Sequence, residues 1–293
     1  MNFRWRAFGK GFLAILFLCH GILSRAAVEP SVAMILDLEG KATIFEREGG
    51  SRASILSEIR PDTRVQVEAG SRMVAVYLGS GQSFEIKGPA VVVFRRQQPE
   101  SQSGARPESL GSALSKGNKE VRIKPVSVAQ AAVVLRSIKV IDSKLTLVSP
   151  VGNLTLEERP MFRWKELAPN IQYRFAMVDE EGKALYQTDV NDTSLRLSFQ
   201  VQMKEGVKYR WMVTAQHPEG AVFTNSRELS LASPELQRQV QALLPTPESS
   251  LAELVAFAAW LEQSGLRDEA RTLWKAVAAE RHDDPRLRAL AAD

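Results

Sequence analysis

The chain has 293 residues, enough for two or three domains with their own cores, and its 38 Lys and Arg against 34 Asp and Glu give a formal charge of +4. Arg4, Arg6, Lys10 and Arg25 carry that excess in a stretch to Ala26 without an acid; the remainder is therefore neutral and offers no basic surface to nucleic-acid phosphates. The single cysteine, Cys19, lies in the same stretch, which leaves the rest without a disulfide, a thiol nucleophile or a thiolate metal site.

The N-terminus reads as an export signal: a basic start, an apolar run from Gly11 to Leu23, and Ser24-Arg25-Ala26 with small residues where a signal peptidase cuts. The run is shorter than the ~20 residues of a spanning helix, so residues 1–26 are expected to be removed near Ala26, leaving no stable membrane span. An uncleaved anchor is the alternative; a lipoprotein at Cys19 is disfavoured by Leu18, where a small residue is wanted.

From Met34 to Arg96 short apolar runs are cut by glycine, at Gly49-Gly50, Gly70-Ser71, Gly79-Ser80-Gly81 and Gly88-Pro89. Glycine supplies the positive φ of tight turns, and the intervening Val, Ile, Phe and Tyr suit a pleated surface, so this is a set of short strands. Arg72 to Leu78 is apolar on both faces, Met73, Ala75 and Tyr77 pointing one way and Val74, Val76 and Leu78 the other; such a strand is covered on both sides. The pattern resembles a FecR domain, a β-rich module of bacterial envelope proteins, at Gly40, Gly70-Ser71-Arg72, Leu78 and Gly88-Pro89. It departs at Gly79-Ser80-Gly81, where that family has Asp-Gly-Ser. The resemblance implies a FecR-like β domain over 32–141.

Residues 97–119 are polar, with Ala105, Leu110, Ala113 and Leu114 the only apolar side chains, and read as a flexible loop inserted in that domain or as a linker out of it. Val121–Val128 and Ala131–Ile141 return to strand-like sequence and either complete the first domain or lead into the next.

Residues 145–231 alternate strictly. Phe162 and Trp164 share a parity, as do Ile171, Tyr173, Phe175 and Met177, then Leu195, Leu197 and Phe199, then Val207, Tyr209, Trp211 and Val213, with charged and polar residues between. That is an antiparallel sheet with one wet face, and about seven such strands make a sandwich. The stretch resembles fibronectin type III-like domains of bacterial surface proteins, which implies Trp164 as the core tryptophan and Tyr209 as a corner tyrosine bonded back to the backbone.

Residues 233–293 switch to helix. Ser233-Pro234, Thr246-Pro247 and Asp284-Pro285 each place an N-cap residue before proline. Leu251, Leu254, Val255, Ala258 and Leu261 mark one apolar face closed by Gly265, and Ala270, Leu273, Trp274, Val277 and Ala278 mark the next. The stretch from Ala258 to Val277 resembles a tetratricopeptide helical hairpin. Phe257 and Trp260 lie off the first face, so they either pack against the sandwich or dock a partner.

No catalytic, cofactor-binding or metal-ligating residue is predicted. Asp189-x-Asn191-x-Thr193 opens like a calcium loop, but Ser194 stands at the sharp-turn glycine and Gln200 at the terminal glutamate. After the leader only His217 and His282 remain as histidines, both in polar turn sequence, and no serine elbow frames a nucleophile. The acid pairs Glu157-Glu158 and Asp179-Glu180-Glu181 read as solvated loops rather than as a glycosidase pair. Asn153-Leu154-Thr155 and Asn191-Asp192-Thr193 match a glycosylation acceptor without consequence in a bacterial-looking chain. The sequence therefore points to a multi-domain, mainly β, exported binding or scaffold protein without a cofactor, whose partner is an envelope protein or a cell-wall component and whose oligomeric state is open. The alternatives are a FecR-type sensory protein of the periplasm, and an envelope hydrolase with an unrecognised carboxylate pair.

Overall fold

The structure, a computed structural model, describes residues 29–46, 49–116, 119–120, 145–169, 171–217, 220–282 and 284–291. The stretch read as an export leader and the strand-like segments 121–128 and 131–141 lie outside the described residues. The protein is mainly β, with several antiparallel sheets and four short helices at its C-terminal end.

The first ten strands are β1 (Ala33–Glu39), β2 (Ala42–Glu46), β3 (Gly49–Arg52), β4 (Glu58–Ile59), β5 (Thr63–Val67), β6 (Arg72–Tyr77), β7 (Gln82–Lys87), β8 (Ala90–Phe94), β9 (Pro99–Gly104) and β10 (Glu108–Ser112). They form two five-stranded sheets, ordered β10-β7-β6-β1-β4 and β3-β2-β5-β8-β9, all antiparallel. Between the sheets Ile35, Met73, Ala75, Tyr77 and Phe84 meet Ile44, Val65, Val92 and Phe94. The opposite face of β6, with Val74, Val76 and Leu78, joins Met34 and Leu36 of β1 in a second core, shared with the C-terminal helices. The double-sided strand is thus covered on both sides, by a sheet and by helices.

Residues 97–119 are a correction to the sequence reading. They contribute β9, β10 and β11 (Ser115–Lys116), the last paired with β12 (Lys119–Glu120). β9 is the edge strand beyond β8 and β10 the edge strand beyond β7. Glu100 to Gly104 are exposed, so their composition is that of solvent-facing sequence. The order comes from backbone hydrogen bonds to a neighbour, which composition does not record, and polar edges are how sheets avoid pairing with strangers. Ala113 and Leu114 are buried in the second core.

The second β module comprises β13 (Leu147–Ser149), β14 (Leu154–Thr155), β15 (Met161–Trp164), β16 (Gln172–Asp179), β17 (Ala184–Val190), β18 (Ser194–Arg196), β19 (Lys208–Gln216) and β20 (Val222–Leu231). A three-stranded sheet, β13-β15-β18, faces a five-stranded one, β14-β20-β19-β16-β17, in which only the β14–β20 pair is parallel. The core between them holds Phe162, Trp164, Tyr173, Phe175, Met177, Tyr209, Trp211 and Val213, on the parities the alternation predicts. The Tyr209 hydroxyl accepts from the Lys204 N–H at 3.1 Å, a side-chain bond to the backbone upstream. Phe199 departs from its parity and is 85 % exposed. β18 ends at Arg196, the chain then turns, and the ring lies under the Arg159 guanidinium, 4.4 Å from its centroid.

The helices are α1 (Pro234–Leu243), α2 (Leu251–Gln263), α3 (Arg267–Glu280) and α4 (Pro285–Ala291). Ser233 caps α1 by accepting from the Leu236 N–H, and Asp284 accepts from Arg286 at the start of α4. Thr246-Pro247 does not start a helix. It forms a turn with Ser249, and α2 begins at Leu251 behind a capping box in which Ser250 and Glu253 bond each other's backbone N–H. Phe257 and Trp260 are both buried, stacked on each other inside the shared core. α2 is buried nearly all round because it lies between sheet and helices, which accounts for apolar residues outside a single stripe. The excess apolar surface is consumed inside the chain, and it supplies no argument for a docking partner.

Candidate functional site

The densest polar chemistry lies where the helices join the two β modules. α2 ends in a Schellman motif: the Leu266 N–H bonds the Leu261 carbonyl at 3.0 Å, the Gly265 N–H bonds that of Glu262 at 3.1 Å, and Gly265 takes φ +86°. This turn brings the first turn of α3 against the 149–157 loop of the second module. A Cβ on Gly152 would lie 2.8 Å from the Gly265 carbonyl oxygen, so glycine is required there by the close backbone approach.

Two carboxylates hold the contact. Asp268 accepts from the Ser149 hydroxyl at 3.1 Å, the Val151 N–H at 2.8 Å and the Gly152 N–H at 3.1 Å. Glu269 accepts from the Leu156 N–H at 3.0 Å, while its other oxygen is buried without a partner. Arg271 donates to the Val148 carbonyl at 3.3 Å. Burial pushes the Glu269 carboxyl above its ordinary value, against the hydrogen bond from Leu156. It does the same to Glu262, against the nearby Arg267 and Arg271, and it pulls the Arg227 guanidinium down.

The other end of α3 is tied to the first module. A bulge in β1 between Ile35 and Asp37 re-aims Asp37, which then pairs with Val74 on the helix-facing side. Asp37, 2 % exposed, accepts from Arg72 at 2.8 Å and from Arg281, which follows α3, at 3.0 Å. Arg281 also reaches Glu39 at 2.9 Å, and Arg72 bonds Glu85, which meets Lys87 at 2.8 Å. The Lys87 hydrogen bond, with that of Arg72, holds the Glu85 carboxyl below the ordinary carboxylate value against burial. From α4, Arg286 donates to the Ser57 hydroxyl at 3.1 Å, and the Ile55 N–H donates to Asp284 at 3.3 Å. One helix hairpin thus grips both β modules through charged hydrogen bonds.

Of the residues weighed from sequence, Asp189 is paired with Arg174 at 2.8 Å on the sheet edge, and Asp179 accepts from the Glu181 and Lys183 N–H groups in its turn. Glu157 lies 3.7 Å from Arg196. His217 closes a hairpin, its N–H bonding the Ala221 carbonyl. Among the described residues no group of three His, Cys, Asp or Glu side chains could hold a metal ion. Also among them, no helix is long and apolar enough to cross a membrane, which says nothing of a β-barrel. The joint residues Asp37, Asp268, Glu269, Arg271 and Arg281 escaped the sequence reading. The signal available was Asp268-Glu269 in the first turn directly after the Gly265 stop.

No protein-family model matches the chain, and no curated protein matches it significantly. Among solved structures it is similar to a tetra-tandem repeat in the extending region of a large adhesion protein. That likeness has 11% sequence identity, covers 70% of this chain and 68% of the other, and has a TM-score of 0.22, too low to bear on fold or function.

Proposed function

We propose that the protein is an exported, non-enzymatic binding or scaffold protein of the bacterial envelope, in which a helical bracket fixes two β modules so that their outer surfaces are presented in one arrangement. The observation that carries this reading is α3 itself. Asp268 and Glu269 at its start bond the second module, and Arg281 at its end bonds buried Asp37 of the first. Charged groups are costly to bury and are kept where they fix geometry, so a spacer without a geometric task has little use for them. The finer assignments belong to the same proposal. The first module is read as FecR-like on its turns at Gly40, Gly70-Ser71-Arg72 and Gly88-Pro89, of which Gly40 and Gly70 have positive φ. The second is read as fibronectin type III-like on its Trp164 core and Tyr209 corner, and the α2–α3 hairpin as tetratricopeptide-like. Export rests on the basic start and short apolar run before Ala26.

The test is fractionation of cells followed by intact mass and affinity capture. The protein is expected in the envelope fraction, beginning near Ala27, and to retain an envelope protein or cell-wall material. A full-length cytosolic form would refute export, and retention unaltered by Asp268→Ala and Arg281→Ala together would refute the bracket as the functional element.

A further inference from the structure

Strand β17 ends the sheet β14-β20-β19-β16-β17, and among the described residues only β16 pairs with it. An edge of this kind presents a row of free backbone N–H and C=O groups. At seven residues β17 is the longest of the described strands at sheet ends. The next longest carry features that discourage pairing: β9 opens on Pro99, β10 is bulged between Ser109 and Gly111, and β3 opens on Gly49-Gly50. β17 has no proline, glycine or lysine, and after an irregularity near its start its register against β16 is unbroken from Tyr186 to Val190.

Its side chains sort by face. Tyr186, Thr188 and Val190 stand opposite the buried Met177, Phe175 and Tyr173, so they share the core face, where they are half-buried. Tyr186 and Val190 pack against the sandwich core without being closed in by it, the Tyr186 ring 6.3 Å from that of Phe175. Gln187 and Asp189 are exposed on the wet face, opposite Ala176 and Arg174.

We propose that β17 pairs with β17 of a second copy of this chain, antiparallel about a two-fold axis at Thr188, joining two five-stranded sheets into one. An axis normal to the sheet keeps the core faces of the two copies on one side, and the strand is self-complementary in this register. Tyr186 meets Val190 of the other copy twice, an aromatic against a β-branched side chain, and Thr188 meets its own counterpart; both are favourable cross-strand pairs. On the wet face the Gln187 amide donates to Asp189 of the other copy, again twice. One Asp189 oxygen accepts from Arg174 at 2.8 Å, and the second serves this bond. Neighbouring registers fit worse: an axis at Asp189 opposes two carboxylates, and one at Gln187 sets Leu185 against Asp189. Backbone bonds supply the attraction and the side chains choose the partner. One strand pair is small beside the roughly 1,200–2,000 Å2 of a standard interface, so the dimer is weak and dilute protein is monomeric.

The experiment is sedimentation equilibrium of the full chain from about 1 µM to about 1 mM, the range in which weak complexes form. A monomer–dimer equilibrium that stops at the dimer is expected, because a two-fold edge contact closes on itself. Gln187→Glu places a second acid against Asp189 of the other copy, and Gln187→Lys places a cation there. They should move the dimerisation constant in opposite directions, weaker for Glu and tighter for Lys, by roughly threefold or more, since each acts twice across the axis. Gln66→Glu, equally exposed but on the central strand β5, should not move it. The substituted side chains are exposed, and unchanged circular dichroism and urea midpoint of the monomer check that the variants fold. A monomer throughout the range, growth beyond the dimer, or a constant that the two Gln187 variants fail to move in opposite directions overturns the proposal. Its fate is separable from the envelope reading: a dimeric cytosolic protein would sink only the latter, and a monomeric envelope protein only the former.

Discussion

Removing the helices is the harshest test of the double-sided strand. Met34, Leu36, Val74 and Val76 are at most 1 % exposed and Leu78 is 8 % exposed, and α2 and its neighbours form the far wall of their core. Full burial of such a side chain is worth about 1.5–3 kcal/mol, and strand neighbours retain roughly half of it. Ending the chain at Ala232 therefore forfeits on the order of 4–7 kcal/mol, comparable to the whole stability of a typical domain. It also bares a contiguous apolar sheet face, a feature that drives association. Urea unfolding, ANS fluorescence and light scattering of the chain ending at Ala232 should show lost or much reduced stability, strong dye binding and association. A monomeric, dye-silent chain with the full-length midpoint would refute the claim that the helices complete the first module.

Three smaller tests follow from single side chains. Trp164→Ala should cost about 3–5 kcal/mol through the cavity left beside Tyr173, and Tyr209→Phe about 1 kcal/mol through the lost bond from Lys204; a neutral Trp164→Ala in urea unfolding would show a misassigned core. Gly152→Ala should cost roughly 1–3 kcal/mol, since its Cβ meets the Gly265 carbonyl and the Arg267 amide, and an unchanged Tm would mean the two loops do not touch. Because burial raises the folded Glu269 carboxyl above its ordinary value, its ionisation destabilises the fold at neutral pH, and that penalty fades as pH falls through the raised value towards the ordinary one of 4.5. Glu269→Gln should therefore be more stable than the parent at pH 7, with the gap closing on acidification; a variant less stable at every pH would show that the carboxylate's bond to Leu156 outweighs its burial.

Strands whose side chains alternate or are apolar on both faces were legible, because burial writes itself into residue type: Met73 against Val74, Phe175 against Arg174, Trp211 against Arg210. β9 and β10 were not, because their order resides in backbone bonds to β8 and β7 while most of their side chains stay in water. The apolar excess of α2 was visible as Phe257 and Trp260, but not what covers it, since the sheet wall comes from residues more than 170 positions earlier in the chain. The joint was hidden for a related reason. Asp37 looks like one polar residue in an apolar strand until the bulge turns it towards Arg281, and Asp268 looks like an ordinary first-turn acid until the 149–157 loop presents three donors to it.

The account turns on the helices holding two β modules in one fixed arrangement, and a distance measurement tests that directly. The chain has one native cysteine, Cys19, so Cys19→Ser allows clean spin labelling at Gln66→Cys on β5 and Gln187→Cys on β17, both exposed. Pulsed electron paramagnetic resonance should give a single narrow distance distribution for this pair, which broadens when Asp268→Ala and Arg281→Ala are added. A broad distribution in the parent, or one that the two joint substitutions leave narrow and unchanged, would contradict the bracket.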